Sequence, residues 1–415
     1  MDLQPFNADL HIHSRFSGAT SSRMDIETIA RQARLKGLEI VGTGDIFHPS
    51  WREEVEETLR LVDDGTLEHE ETGIRFLLTA EVEDASRVHH LIIFPSLSAV
   101  DTVREKFSSH SPDIATDGRA TVGLSAPEIA EIVTSAGCLI GPAHAFTPWT
   151  SLYKEFDSMG DCYGDMRDRV SFLELGLSAD SDMADRIAEL QEVTFLSCSD
   201  AHSPWPDKLG REFNRMELQE PTFDEVKMAI LRKEGRRISL NVGFDPRLGK
   251  YHRTACSRCF NQYSIERARA LKWRCESCGG WIKKGVWDRV NELASYPEPR
   301  HPPHRPRYFR VVPLAEIIAL SKGGKDPHDE EVQATWRSLV TRFGSEISVL
   351  VNAQLEELRE VAGDGVAEVI KAFREGNLKV VAGGGGKYGH IELPGMPKVV
   401  GGVQKKLTEF WEDEG

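Results

Sequence analysis

Short apolar runs recur along roughly the first 240 residues, and most stop at a histidine, an acid or a glycine turn. The first, Asp9-Leu10-His11-Ile12-His13-Ser14, alternates, and a period of two puts both imidazoles on one face of an extended chain. From Met24 to Lys36 the spacing changes to that of a helix, with Ile26, Ile29, Ala30 and Ala33 on one side and Gly37 as its stop. Leu38–Val41 reads as a strand closing on Gly42-Thr43-Gly44-Asp45, Pro49 to about Asp63 as a helix, and Ile74–Leu78 as a strand running into Thr79-Ala80-Glu81. His89-His90 opens the strand Leu91–Phe94. Helices are predicted near Ala99–Phe107 and Ala126–Ala136, with a polar, flexible stretch around Ser108–Thr121 between them. Cys138–Ala143 leads to His144, and Val170–Leu173 leads to Glu174. A helix is expected from about Asp180 to Gln191, and Val193–Cys198 leads to Ser199-Asp200-Ala201-His202-Ser203. Thr222–Lys233 reads as a helix and Arg237–Val242 as a strand.

Strands with continuous apolar runs, alternating with helices, predict a parallel sheet covered on both faces. About seven such strands precede Ser199, enough for a closed or nearly closed barrel. Asp45, Glu81, His144 and Asp200 each follow the C-terminal end of a run, and in such a barrel those ends converge on one mouth. A purely structural pattern would scatter polar residues along the strands. Histidines and acids collected at one end point to a metal site.

A chain of 415 residues has room for two or three domains and a sizeable core. Three segments are expected: a barrel over residues 1–243, a module over 244–295, and a linker with a mostly helical region over 296–415. Hydrophobic content is 40% and charged content 28%, no run approaches the ~20 residues that span a bilayer, and no leader precedes Asp9, so a cytoplasmic protein is expected. The net charge of −15 argues against a nucleic-acid binder, but the average misleads. Between Arg247 and Arg310 there are 15 Lys and Arg against 5 Asp and Glu, leaving −25 on the remainder. That basic stretch carries Lys250, Arg253, Arg258, Lys272, Arg274, Lys283 and Lys284 among Trp273, Trp281 and Trp287, a mixture suited to binding a polyanion by backbone contact plus stacking.

The same stretch holds Cys256-Ser-Arg-Cys259 and, fifteen residues later, Cys275-Glu-Ser-Cys278. Two such knuckles supply four thiolates to one tetrahedral structural zinc. Cys138, Cys162 and Cys198 are expected as small core residues. Prolines at 297, 299, 302, 303 and 306 predict an extended linker from Tyr296 to Arg310. Leu314–Leu320, Val332–Phe343 and Val366–Glu375 look helical and precede Gly383-Gly-Gly-Gly-Lys387-Tyr-Gly389. Tyr388 stands where a Walker loop needs Ser or Thr, so this run is a flexible turn or a close approach of Lys387 to a phosphate backbone.

The ligand series resembles the polymerase-and-histidinol-phosphatase (PHP) family, at His11, His13, Asp45, Glu81, His90, His144, Asp200 and His202 over roughly residues 7–240. The resemblance implies a distorted (β/α)7 barrel holding two or three divalent metals (zinc, manganese or magnesium) and hydrolysing phosphate esters. Two positions depart from the family pattern: no Asp or His follows His13 before Ala19, and Asp45 stands where a histidine is usual, with His48 as a substitute. Within that family the whole length resembles endonuclease Q enzymes, through Gly141-Pro-Ala-His144-Ala-Phe-Thr-Pro-Trp149, Ser199–Ser203, Leu209–Arg215, Asp245–His252, the four cysteines and the glycine-rich end. This implies a DNA repair enzyme nicking on the 5′ side of uracil, hypoxanthine, xanthine or an abasic site and leaving 3′-hydroxyl and 5′-phosphate ends. Asp200, His11 and His144 are the expected catalytic residues. Arg15 and Arg211 are read as phosphate clamps, and Lys283, Lys284 and Lys387 as DNA contacts. Phe146, Trp149, Tyr153 and Trp205 are read as a pocket for a displaced base. Two other classes are open: a small-molecule phosphatase on the same barrel, and a DNA-binding protein with an inactive barrel.

Overall fold

The structure, a computed structural model, describes residues 2–392. The barrel has seven staves: β1 (Gln4–Asp9), β2 (Ile40–Gly42), β3 (Ile74–Leu77) running through Leu78 into β4 (Thr79–Glu83), β5 (His89–Ile93), β6 (Leu139–Pro142), β7 (Leu173–Glu174) and β8 (Phe195–Leu196). Parallel pairing links β1, β2 and β3, and also β7 and β8. Backbone bonds from Ser171 to Ile140 and from Ala145 to Glu174 join β6 to β7, and a parallel bridge between Ile12 and Ala201 closes the ring.

The expectation of a wholly parallel sheet is corrected at β5, which runs antiparallel to both β4 and β6. Its link to β4 is a tight hairpin: Asp84 accepts from Ser86 N and Val88 N, leaving no room for the crossover helix that a parallel pair needs. A further layer extends the ring. β9 (Phe213–Leu218) lies antiparallel on β1, β10 (Arg237–Gly243) antiparallel on β9, and β11 (Arg307–Arg310) parallel on β10.

Inside the ring, Leu10, Ile40, Leu77, Leu91, Ile93, Phe172 and Leu196 form one buried cluster with Met216 and the helix Phe223–Ile230. The outer helix Ile26–Lys36 shows why its sequence folds as it does. Asp25 caps its start by accepting from Thr28 N, Ile26, Ile29, Ala30 and Ala33 are buried, and Gly37 ends it in the left-handed conformation. Cys138, Cys162 and Cys198 are buried free thiols, as core residues would be.

Three sequence-based elements differ. The helix from Pro49 ends at Thr58, and Arg60–Asp63 pairs instead with Thr66–His69. The helix expected over 180–191 breaks into the turns Ser181–Ala184 and Ala188–Leu190. Its carbonyls are taken from outside: Asp185 O accepts from Arg300 N, and Arg186 O accepts from Ser295 N and Tyr296 N. The third difference is the partner in those bonds, the proline-rich stretch 296–310, which is extended but pinned rather than a free linker. The buried Arg305 guanidinium donates to Asp185, to Leu190 O and to Val193 O, and lies 3.4 Å over the Phe195 ring.

The chain divides into two compact units, residues 2–311 with 381–390, and residues 312–380 with the strand end that follows. The four-cysteine module and the proline-rich stretch therefore belong with the barrel. So does the glycine run: Gly383 N, Gly386 N and Gly389 N bond to Arg247 O, Lys250 O and Leu248 O, and a Cβ at Gly383 or Gly385 would overlap backbone. The second unit is helical (Leu314–Ser321, Glu330–Phe343, Glu346–Val351, Leu355–Arg374), around Ile318, Trp336, Leu339, Val366, Ile370 and Phe373. No helix among the described residues is long and apolar enough to cross a membrane.

Candidate metal centre at the barrel mouth

The chain leaves β1 extended, so His11 and His13 share a face and both enter the mouth. Three mouth residues, Asp45, His144 and Asp200, adopt left-handed backbone, with φ of 47°, 31° and 47°. Side-chain-bearing residues pay for that conformation, and here it turns the chain sharply at the point where each donor must look inward.

His13 Nε2 lies 3.2 Å from Asp200 Oδ1 and 3.3 Å from Glu81 Oε2. His11 Nε2 lies 3.6 Å from Glu81 Oε1 and 3.8 Å from Asp200 Oδ1. Two groups of donors result: His11, His13 and Asp200, and Glu81, His89 and His144. His11 Nε2, His13 Nε2, Glu81 Oε2 and Asp200 Oδ1 are all buried without a hydrogen-bond partner. Buried polar atoms are rarely left so, and four converging nitrogen and oxygen donors fit divalent cations.

Behind them stands a supporting set. Glu174 bonds His11 Nδ1 at 2.8 Å, and Asp45 bonds His13 Nδ1 at 3.0 Å while accepting from Ser14 and Ser17. Each fixes a ring so that Nε2 looks inward. Burial works against charge on His11, but Glu174 and Glu81 together hold its pKa well above the usual imidazole value. Burial likewise opposes charge on Glu81, and His89 and His11 outweigh it, holding the carboxyl well below its usual range. Asp9 buckles the mouth from below, accepting from Ser199 N and Gly210 N, though burial still pushes it up to about 6.

Three assignments change. Asp45 sits behind His13 rather than among the inward donors. His48 caps the helix Pro49–Thr58 and stacks on Phe16, so it takes no place in the cluster. His90 gives way to His89: on an antiparallel pair, Glu81, Glu83, His89 and Leu91 share one face, and His90 points away with Val82. His90 spends its nitrogens on Tyr163 and Asp84, whereas His89 meets Glu81 at 2.9 Å and Glu83 at 3.0 Å. Both faces of this strand are core, Leu91 and Ile93 on one and Ile92 and Phe94 on the other, so alternation in the sequence does not separate the two histidines. His202 lies at the rim, its ring 4.5 Å from that of His13. Sequence reasoning also left out Glu174 and Arg119; the latter sits 3.6 Å from Glu81.

The other candidates are spread around this centre. Arg15 pairs with Glu54, and Arg211 donates Nε to Ser199 O. Phe146, Trp149 and Tyr153 line a cavity of about 500 Å³ whose opposite wall is Tyr251, Lys283, Lys284 and Arg289. Arg289 donates to Tyr153 O and Phe156 O, fastening the cysteine module to the barrel loop. Trp205 lies outside that lining, under Arg23. Lys284 pairs with Glu292, Lys283 is exposed, and Lys387 sits in the glycine loop.

The four cysteine sulfurs come within 4.8 Å of one another. Cys256 to Cys278 and Cys259 to Cys275 are 3.5 Å apart, too far for disulfides and compatible with one shared tetrahedral ion. A hydrogen bond from Tyr263 lowers Cys275 to about 6, toward the thiolate that a cation needs.

The lesion-specific endonuclease PfuEndoQ of Pyrococcus furiosus is 50% identical to this chain, with a TM-score of 0.90 over 98% of each. The chain belongs to the endonuclease Q family. A second structure from this family, endonuclease Q with a 27-mer duplex bearing an abasic lesion at its active site, is 51% identical, with a TM-score of 0.89 over 94% of this chain and 97% of that one. The uncharacterized protein YqxK of Bacillus subtilis is 32% identical over 94% of this chain and its own full length. MJ0043 of Methanocaldococcus jannaschii, also uncharacterized, is 46% identical over 69% of this chain, but the match spans only 35% of MJ0043. A family model described as the MJ0043 C-terminal domain matches residues 313–377, within the helical unit.

Proposed function

We propose that this chain is a metal-dependent DNA repair endonuclease that cuts on the 5′ side of a deaminated base (uracil, hypoxanthine or xanthine) or an abasic site. The observation that carries the reading is likeness along the whole chain, at half identity, to a lesion-specific endonuclease, combined with a mouth of inward-facing donors. Divalent cations held there would polarise water and neutralise phosphate charge. His11, His13 and Asp200 are assigned to one cation and Glu81, His89 and His144 to a second. Histidine-rich donor sets favour zinc or manganese over magnesium. One structural zinc is assigned to Cys256, Cys259, Cys275 and Cys278.

The chain's own groups orient the reaction. Glu174 and Asp45 keep the imidazoles aimed inward. Asp200, the mouth carboxylate with 28% of its side chain exposed, accepts the proton of the attacking water. The bond from phosphorus to the 3′ oxygen breaks, leaving a 3′-hydroxyl and a 5′-phosphate. The aromatic cavity beside the mouth is assigned to the displaced base, with Trp149, 55% exposed and edge-on to Tyr251, as its rim. Turning a base out costs a few kcal/mol, which such a pocket can offset. The basic module holds the backbone beside the lesion, which a small-molecule phosphatase would not need. Its place of work is the DNA-containing compartment of the cell.

The test uses end-labelled duplexes with a single deoxyuridine, deoxyinosine or abasic site, with manganese or zinc. The expected product is one nick 5′ to the lesion with a 3′-hydroxyl. A released free base, or a β-elimination end, overturns the reading.

A further inference from the structure

We propose that Arg119 is a substrate-contacting residue of this centre, its guanidinium gripping a non-bridging oxygen of the phosphate being cut. The inference rests on the endonuclease reading above and supplies the group that holds the scissile phosphate.

The segment before it is polar, yet the structure builds it firmly. Asp113 O accepts from Thr116 N and Asp117 N, Asp113 Oδ1 accepts from Thr121 N, and Ala120–Thr121 pairs with Val82–Glu83. Gly118 N bonds to Phe16 O, and a Cβ at Gly118 would overlap the Asp45 carboxylate and the Ser17 hydroxyl. Glycine there lets the loop lie directly on the group that supports His13. The next residue is delivered to the mouth: Arg119 Nη1 lies 3.6 Å from Glu81 Oε2, with a third of the side chain still exposed. That distance is an ion pair, longer than a hydrogen bond, so the guanidinium fork keeps its donors for an incoming oxygen pair. Burial opposes its charge, but the negative charges of Glu81, Asp200, Asp117 and Asp45 outweigh that. The carboxylates of the mouth repel a phosphodiester, and a fixed cation on the same wall offsets that repulsion while matching phosphate geometry. Arg15 instead pairs with Glu54, and Arg211 gives its Nε to Ser199 O.

Single-turnover cleavage of an abasic duplex should be compared among wild type, Arg119→Ala and Arg119→Lys, with DNA affinity and bound metal measured on each protein. The alanine variant should cut on the order of 100-fold more slowly, with metal content unchanged and affinity altered by only a few-fold. Millimolar guanidinium should restore part of its rate and none in wild type, and lysine should fall between. A wild-type rate in Arg119→Ala overturns the proposal. So does a loss explained by metal release, which would make Arg119 merely a support for Glu81. If wild type itself fails to nick, the endonuclease reading falls first.

Discussion

At the barrel mouth the donors come from positions as distant as His11 and Asp200, and three are oriented by a second residue: Glu174 behind His11, Asp45 behind His13, Glu83 beyond His89. In the cysteine module the four sulfurs come from two knuckles within Cys256–Cys278, around a satellite cluster of only Cys256, Ala268, Cys275 and Ile282 fully buried. The mouth is shaped by a scaffold that exists for other reasons, a closed ring with its own core. The module has almost no core, so its donors are what it folds around. One centre is placed by the protein, and the other places the protein.

That contrast can be broken most directly at the mouth. Asp200→Asn or His11→Ala should reduce nicking to background while the melting temperature stays within a few degrees of wild type, measured by cleavage assay and calorimetry. A large stability loss would mean that the mouth, too, depends on its donors. Next in size, Cys275→Ser or chelation should unfold the module, since ligation of a structural zinc supplies roughly 10–16 kcal/mol in comparable modules. Hydrogen exchange should then show residues 254–284 losing protection while β1 and β6 keep theirs. Smaller effects are expected from the supporting residues. Glu174→Gln or Asp45→Asn should lower metal affinity or rate by about 10–100-fold with little change in stability, read by titration and kinetics. Smallest is the basic module's surface. Removing Lys283 should reduce the salt slope of duplex binding by about 0.9 and affect damaged and undamaged DNA alike. Removing Lys284, already paired with Glu292, should do less.

The two centres also differed in how far the sequence disclosed them. Two close cysteine pairs separated by fifteen residues are a local signal, because the knuckle geometry lies within each pair. The mouth depends on direction as well as spacing. His11, His13, Glu81, His144 and Asp200 stand at ends of apolar runs, and the ring brings them together. His89 was passed over for its neighbour because nothing in a run of apolar residues says which way its strand travels, and one step of register changes the face. Arg119 escaped for a different reason: its loop is mostly polar, with no apolar run to mark an element, and much of its order comes from Asp113 bonding to backbone. The stretch 296–310 was read as a tether because prolines report an extended chain and not what it lies against. Its anchor, the buried pair of Arg305 with Asp185, joins residues 120 positions apart.

The glycine loop that closes on Arg247–Arg253 gives the chain an unusual timetable. Residues 383–389 complete the barrel unit, but they are made only after residues 312–380 of the helical unit have been translated. At a synthesis rate of roughly 5–20 residues per second, the barrel would wait about seven to thirty seconds between the appearance of β10 and the arrival of its last segment. A nascent chain stalled in that interval would carry the mouth's histidines and carboxylates while the backbone groups of 247–253 still lacked their final partners. The first unit would therefore become whole only once residues 312–380 had been made.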